Sequence, residues 1–211
     1  LLFVAMQSLR ARFEANRQSD ATVIRDPFSG LRLVLRSRPL RFFALTGLCF
    51  AAAQLSLMSF TVTLLVDEVG WTLVTAGIAL SCVQVAGVIG RVSWGVVADR
   101  LRSSTLVLIV IGSAMAIASL AASQIGASWP EIGVFVFFFA FGLSAVGWNG
   151  VFASEAARIS PPGAIGHATG GVLFITFAGV LFGPVVFSML YAVTGSYSAT
   201  FFASAGLAAL G

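Results

Sequence analysis

The sequence predicts an all-α, polytopic membrane protein with six transmembrane helices, and composition, run length and charge placement each support this. Charged residues make up 9% of the 211 and hydrophobic residues 58%, whereas a soluble domain carries about 25% charged residues. So few charges cannot cover a surface that faces water. Apolar side chains that face lipid hydrocarbon need no such cover, and a bilayer is therefore the solvent that fits this composition.

Six apolar runs follow one another along the chain. Five of them exceed the ~20 residues that a helix needs to cross the hydrocarbon core at about 1.5 Å per residue. Helices are required, because an open strand would leave backbone groups unpaired in lipid. The sixth run has only 15 residues and is predicted to be a truncated span. The expected spans are 42–66, 71–98, 105–125, 132–154, 168–193 and 197–211.

Residues 1–41 are predicted to be the end of a preceding helix followed by a cytoplasmic connector. Leu1–Met6 is apolar but too short to span, and no basic segment precedes it as in a signal peptide. Apolar residues at helical spacing beside Arg32 and Arg36 predict a short helix lying on the membrane surface, with a disordered loop as the alternative. The connector carries eight of the twelve arginines: Arg10, Arg12, Arg17, Arg25, Arg32, Arg36, Arg38 and Arg41.

Charge placement predicts the orientation of the spans. If the connector is cytoplasmic, eleven of the twelve arginines lie in cytoplasmic segments and none lies in an outer turn, as the positive-inside rule requires. The net charge of +4 therefore reflects membrane topology, and no nucleic-acid partner is needed to explain it. Lysine is absent, a bias that favours a GC-rich bacterial source and hence the bacterial inner membrane.

Neither a metal site, a cofactor site nor an enzymatic centre is predicted. Cys49 and Cys82 both lie within apolar runs, where cysteine usually acts as a small hydrophobic residue. The sequence has no His–His, Asp–Asp or Ser–Lys pairing at a useful helical spacing, so we do not expect an enzyme. The single histidine, His167, lies at a helix start and is expected to be a surface residue, with a proton relay as the alternative.

The strongest local motif closes the second span, where residues 90–102 read GRVSWGVVADRLR. Gly95, three residues and then Asp99-Arg100 resemble the loop signature of the major facilitator superfamily. Gly90 and Gly95 belong to this motif, and Gly95 is predicted to admit a neighbouring helix. Asp99 can face the positive end of another helix across the interface between the two halves of such a transporter. The alternative is a charge cluster that serves only membrane topology.

A second pattern of the same family occurs in the fifth span. Gly170, Gly179, Gly183 and Pro184 resemble the signature of the fifth helix of proton-coupled antiporters, although Phe187-Ser188 replaces its closing glycines. By span count this helix would be the eleventh of twelve, so antiport is not carried over. Small residues predict close packing and the proline a bend. Pure packing and a moving, cavity-lining helix both remain open.

The end of the fourth span also resembles bacterial members of this superfamily, through residues 148–158, 160–163 and 166–170. Glu155 and Arg158 are three residues apart and can pair on one helical face. The resemblance implies that Asp99, Arg100, Glu155 and Arg158 interlock as a gate. A solvated interfacial ion pair is the alternative.

The resemblance covers residues 1–211 and implies helices seven to twelve of a transporter, arranged as two inverted three-helix repeats, one half of a major facilitator bundle. It implies secondary active transport of a small solute by alternating access, together with a missing N-terminal six-helix half. The cavity would be lined by the first, second, fourth and fifth spans. The candidate substrate contacts are Gln54, Gln84, Trp148, Asn149 and Thr176, each of which could instead bond a neighbouring helix.

Arg91 is the only ionised group placed well inside a span. It precedes Asp99 by eight residues, which places it ~12 Å deeper along the helix. The pattern Gly-Arg-x-x-Trp-Gly-x-x-x-Asp resembles the eighth helix of carboxylate porters, and this implies an anion bound by Arg91. A guanidinium fork matches a carboxylate better than a point charge does. The alternative is that Arg91 snorkels to the headgroups.

Three questions about function remain open at the level of sequence. No Asp or Glu lies in the middle third of any span, so a proton-coupling carboxylate would belong to the missing half, or the protein is a uniporter or exchanger. Hydrophobic-drug efflux is the alternative to an organic-anion substrate. A non-transporting membrane scaffold is the alternative to a transporter if the chain is complete.

Overall fold

The computed structural model describes residues 28–211, in which the chain forms helices joined by short turns and contains no strand. A connector helix, Ser29–Arg36, precedes the spans. Residues 1–27, which include the apolar segment Leu1–Met6 and four of the connector arginines, lie outside the described residues. The spans are Arg38–Asp67, Leu73–Leu101, Ser104–Ala122, Glu131–Ala145 continued by Asn149–Arg158, Ile165–Thr194 and Tyr197–Leu210.

The predicted all-α membrane architecture is confirmed. Five spans are long and apolar enough to cross a bilayer, and the sixth helix has 14 residues. Hydroxyl side chains start several of the helices, because they accept hydrogen bonds from backbone N–H groups that have no helical partner. Thr72 caps the second span, Ser103 the third and Ser196 the sixth.

The helices pair first with fifth, second with fourth and third with sixth. Two inverted three-helix repeats produce this pattern, because exchanging the repeats turns the first–fifth crossing into the fourth–second crossing. Each crossing brings backbones together at glycines. These two related crossings determine where the polar side chains of the spans can meet.

The first–fifth crossing joins two uninterrupted helices. A β-carbon at Gly179 would collide with the carbonyl oxygen of Leu48, and one at Gly183 would lie 2.6 Å from the Cα of Ala52. Both glycines therefore lie directly on the first span, as small residues at membrane helix crossings do. Pro184 lies within the fifth span, which nevertheless continues as one helix from Ile165 to Thr194.

The second–fourth crossing contains a break that the sequence analysis did not anticipate. The expected run 132–154 is two helices separated by a turn at 146–148. Gly90 lies against the carbonyl oxygen of Leu143, and a β-carbon on Gly142 would lie 2.6 Å from the carbonyl oxygen of Val83. The apolar run extends through the turn, so hydrophobicity alone does not mark the break.

The connector helix packs on the start of the fifth span. Gly30 lies against the backbone of His167 and Gly171, and the Ser29 hydroxyl lies 3.2 Å from Nδ1 of His167. Val34 is fully buried on this side of the helix. The predicted short helix is thus present, and one of its faces is bound to the bundle.

Candidate functional site

A polar cluster joins the first span to the break in the fourth. Nε1 of Trp148 donates a hydrogen bond to Oε1 of Gln54 at 2.9 Å, and Nδ2 of Asn149 reaches the same oxygen at 3.4 Å. Nε2 of Gln54 lies 3.8 Å from the sulfur of Met58, which is a weak acceptor. Three of the five polar residues predicted to line a solute cavity therefore meet at one point.

Two side chains bond carbonyl groups at the break itself. Val146 is the residue at which the first of the two helices ends, and its carbonyl oxygen accepts a hydrogen bond from Nδ2 of Asn149 at 3.2 Å. The carbonyl oxygen of Leu143 accepts one from Nε1 of Trp94 at 2.8 Å. Backbone groups at membrane depth need such partners, because no bulk water replaces them. Trp94 and Asn149 thus stabilise the irregular backbone.

Trp94 is a residue of this site that sequence reasoning missed. It lies within the loop signature, in which roles were predicted only for the glycines and the charged residues. The available signal was the indole N–H, which needs an acceptor when it lies in an apolar span. The sequence could not indicate that the acceptor is a backbone carbonyl 49 residues away.

Trp148 and Thr176 do not have the positions expected of solute contacts. Trp148 is 1% exposed and packs edge-on against Phe50 and Phe152. Thr176 is 5% exposed, and its hydroxyl donates to the carbonyl oxygen of Val172 in its own helix. Direct contact at either residue does not fit this conformation, because both side chains are covered and occupied. In this conformation the indole N–H of Trp148 donates to Gln54.

Gln84 and Arg91 lie on one exposed face of the second span. Residues 84, 88, 91 and 95 recur at helical spacing and share this face. A β-carbon on Gly95 would meet no atom within 4 Å in residues 28–211. The predicted close approach at Gly95 is therefore not made by a helix of the described chain. The motif glycine that does lie on a neighbouring helix is Gly90.

Arg91 lies level with the polar cluster. A β-carbon on Gly150 would lie 3.7 Å from the carbonyl oxygen of Arg91, so the backbone of Arg91 is beside the residue that follows Asn149. Among the described residues the guanidinium of Arg91, which is exposed, makes no hydrogen bond or ion pair. The residue that carries this unpaired cation therefore borders the Gln54–Asn149 cluster through its backbone.

A second polar group lies where the third span begins and the fourth ends. Glu155 is 2% exposed, and both of its carboxylate oxygens are bound by Arg158, from Nε at 2.7 Å and from Nη2 at 2.6 Å. The Thr105 hydroxyl donates to Oε1 of Glu155 at 3.1 Å. A bidentate pair of this kind is among the stronger hydrogen-bonded contacts in proteins. The pair lies within the fourth span, and the Thr105 hydroxyl, which donates to the same carboxylate, ties that span to the third.

The sequence model of one protein family, described as Major Facilitator Superfamily, matches residues 1–170. The chain belongs to the major facilitator superfamily. The fold agrees with this membership: the crystal structure of an Escherichia coli fucose:proton symporter matches with a TM-score of 0.75 and 19% identity. That match covers 99% of this chain and 52% of the symporter, so the chain spans about half the length of the solved transporter. No curated protein matches the sequence.

Membership in the major facilitator superfamily confirms the predicted family and fold class and makes this a multi-pass membrane protein.

The four residues expected to form a gate are not all in contact. Glu155 and Arg158 pair, whereas Asp99 and Arg100 are exposed and, within residues 28–211, make no ion pair with them. No group of three or more metal-ligating side chains occurs in the described part of the chain.

Proposed function

We propose that the protein transports a small organic anion across the membrane by alternating access, with the anion bound at Arg91. Alternating access would use this chain as one six-helix half, working against an N-terminal six-helix half. The observation that carries the proposal is Arg91: its backbone lies beside Gly150, next to the Gln54–Trp148–Asn149 cluster, and its guanidinium lacks a partner in the described chain.

An unpaired arginine within a span needs an explanation. Burial of such a charge costs about 2.5–3.5 kcal/mol on insertion scales, so intramembrane charges usually face a cavity or a partner. The side chain of Arg91 is exposed on the same face of the second span as that of Gln84. A bound carboxylate would supply the counter-charge and accept two parallel hydrogen bonds from the planar guanidinium.

The neighbouring amides suit an anion as well. Oε1 of Gln54 already accepts from Trp148 and Asn149, which leaves N–H donors of Gln54 with only the weak Met58 acceptor. No carboxylate lies in the middle third of any span. The site therefore offers donors and positive charge, which attract an anion and repel a cation.

We further propose that the basic residues at one end of the bundle mark its cytoplasmic side in a bacterial inner membrane, as the positive-inside rule predicts. At this end the hydrogen bond from Thr105 to Glu155, whose carboxylate is also held by Arg158, would join the third and fourth spans. Asp99 and Arg100 are exposed and would engage the other half of the transporter. The gate would then form between halves, which explains why four residues of one half do not interlock by themselves.

Substitution of Arg91 tests the anion site in the protein expressed from its complete gene. We expect Arg91→Gln to weaken binding of a carboxylate substrate by about 100-fold, since a hydrogen bond to a charged group contributes about 1.5–3 kcal/mol. Arg91→Lys keeps the charge but loses the fork, so we expect a loss of about tenfold. The measurements are equilibrium binding and counterflow uptake in proteoliposomes with a panel of small carboxylates.

The matched control is Arg102→Gln, which removes an arginine from the end of the same helix and should leave affinity unchanged. Unchanged transport in Arg91→Gln would show that Arg91 is a snorkelling anchor, and hydrophobic-drug efflux would then be the better hypothesis. Loss of affinity in Arg102→Gln equal to that in Arg91→Gln would show a general effect of charge on uptake.

A further inference from the structure

The two ends of the bundle differ in charge. The turns that follow the first and third spans carry Asp67, Glu68 and Glu131 and no arginine. The other end carries every arginine of residues 28–211 except Arg91, which lies within a span. The two surfaces of the surrounding bilayer therefore meet opposite charge on this protein.

The arginines at the basic end differ in their neighbours. Arg100 and Arg102 follow Asp99 closely, and Arg158 is bound to Glu155. From residue 28 to residue 66 there is no acidic residue. Within residues 28–66 the positive charge between the connector helix and the first span thus has no acidic neighbour along the chain, unlike the charge at the other turns of this end.

We define the arginine patch as Arg36, Arg38 and Arg41 with Phe42. All four residues are exposed, and Phe42 is exposed to 54%. The guanidinium carbons of Arg38 and Arg41 each lie 5.8 Å from the centre of the Phe42 ring. The Phe42 ring attracts both guanidinium groups by cation–π interaction.

The length of the first span places the arginine patch at the headgroups. Arg38–Asp67 has 30 residues, so it is ~45 Å long, whereas the hydrocarbon core is ~30 Å thick. About one and a half turns therefore extend beyond the core at each end, which includes Arg38 and Arg41. The exposed apolar side chains of Leu35, Phe42 and Leu45 lie among these charges, as at an interfacial segment.

We propose that the arginine patch binds the phosphate groups of anionic phospholipids in the adjoining leaflet. The guanidinium groups donate paired hydrogen bonds to phosphate oxygens, and the Phe42 ring lies among the upper acyl chains. Because the patch includes the last residue of the connector helix and the first residue of the first span, a bound lipid holds the angle between them. Gly30 already fixes the other end of that helix to the fifth span.

Native mass spectrometry of the protein expressed from its complete gene and purified in neutral detergent tests this proposal. Phosphatidylglycerol and phosphatidylcholine with identical acyl chains are titrated separately, at low and at high salt. We expect a preference for phosphatidylglycerol that falls as salt rises. Each arginine near an anionic surface strengthens association by about fivefold, so Arg36→Gln, Arg38→Gln and Arg41→Gln together should weaken phosphatidylglycerol binding by up to about 100-fold.

Two comparisons separate lipid binding from a loss of fold. The triple lysine variant keeps the three charges, and we expect it to retain phosphatidylglycerol to within a few-fold of the unsubstituted protein. Of two matched single substitutions, Arg41→Gln should weaken binding by about fivefold and Arg102→Gln, beside Asp99, by less than about twofold. A phosphatidylglycerol preference that does not change with salt, or that Arg102→Gln reduces as much as Arg41→Gln, would overturn the proposal.

Discussion

The first–fifth and second–fourth crossings are built on the same contact, a glycine against a backbone carbonyl of the facing span. Gly179 lies on Leu48 in the first case and Gly90 on Leu143 in the second. In the first–fifth crossing both helices are continuous. In the second–fourth crossing the facing helix breaks at 146–148, and side chains bond its carbonyl groups.

The two crossings therefore share the glycine–carbonyl contact but differ in what their polar side chains do. A continuous helix satisfies its own backbone, and Thr176, whose hydroxyl lies beside Gly47 of the first span, bonds within its own helix. A broken helix needs side-chain partners for its carbonyl groups. Trp94 of the second span and Asn149 of the fourth supply them, and Asn149 also contacts Gln54 of the first span. The inverted repeats thus share a scaffold, and the polar site belongs to the crossing whose helix is interrupted.

The largest effect is expected where a β-carbon has no room. Gly179→Ala and Gly90→Ala should each lower the free energy of unfolding by about 2 kcal/mol, because overpacking against a backbone carbonyl cannot be relieved by a side-chain rotation. Gly206→Ala is the matched control, since the sixth helix leaves open space there and alanine favours a helix by about 1 kcal/mol. Thermal unfolding in detergent measures all three. Equal stability of Gly90→Ala and Gly206→Ala would mean that the second–fourth crossing is looser than described.

An intermediate effect is expected for the bond that only the second–fourth crossing has. Trp94→Phe leaves the carbonyl oxygen of Leu143 without its indole partner and should lower the free energy of unfolding by about 1 kcal/mol. Trp71→Phe is the control. The ring centroids of Trp71 and Phe135 lie 5.2 Å apart, and phenylalanine keeps that ring contact. Chemical unfolding followed by circular dichroism gives the comparison. A Trp94→Phe protein as stable as Trp71→Phe would contradict a supporting role for the indole at the break.

The smallest effect is expected for the polar residue of the first–fifth crossing. Thr176→Val keeps the branched shape of the side chain and removes a hydroxyl that bonds only its own helix. We therefore expect a change below about 0.5 kcal/mol in the free energy of unfolding. The same unfolding measurement applies, with Trp94→Phe as reference. A loss as large as that of Trp94→Phe would show that the first–fifth crossing also depends on a polar contact.

Several features were predictable because they follow from local rules. The span bounds came from run length, and the Glu155–Arg158 pair came from spacing along one helix. Gln54 and Asn149 were predicted as polar residues facing a common cavity, and they meet through one oxygen atom. The break at 146–148 was not predicted, because the apolar run continues through it. Gly95 was preferred to Gly90 as the packing glycine because a motif does not state which helical face a neighbour occupies.

The amino-acid sequence by itself determined that the chain lies in a lipid bilayer and how many spans it has. It also determined that the spans are helices, because lipid excludes any backbone that does not satisfy its own hydrogen bonds. It also determined which end of the bundle is basic, since charge counts need no coordinates. Only the tertiary structure decided that Trp94 bonds Leu143 and that Trp148 is buried against Gln54. These contacts join residues 49 and 94 positions apart, and their partners depend on how helices cross, which the periodicity of any one helix does not specify.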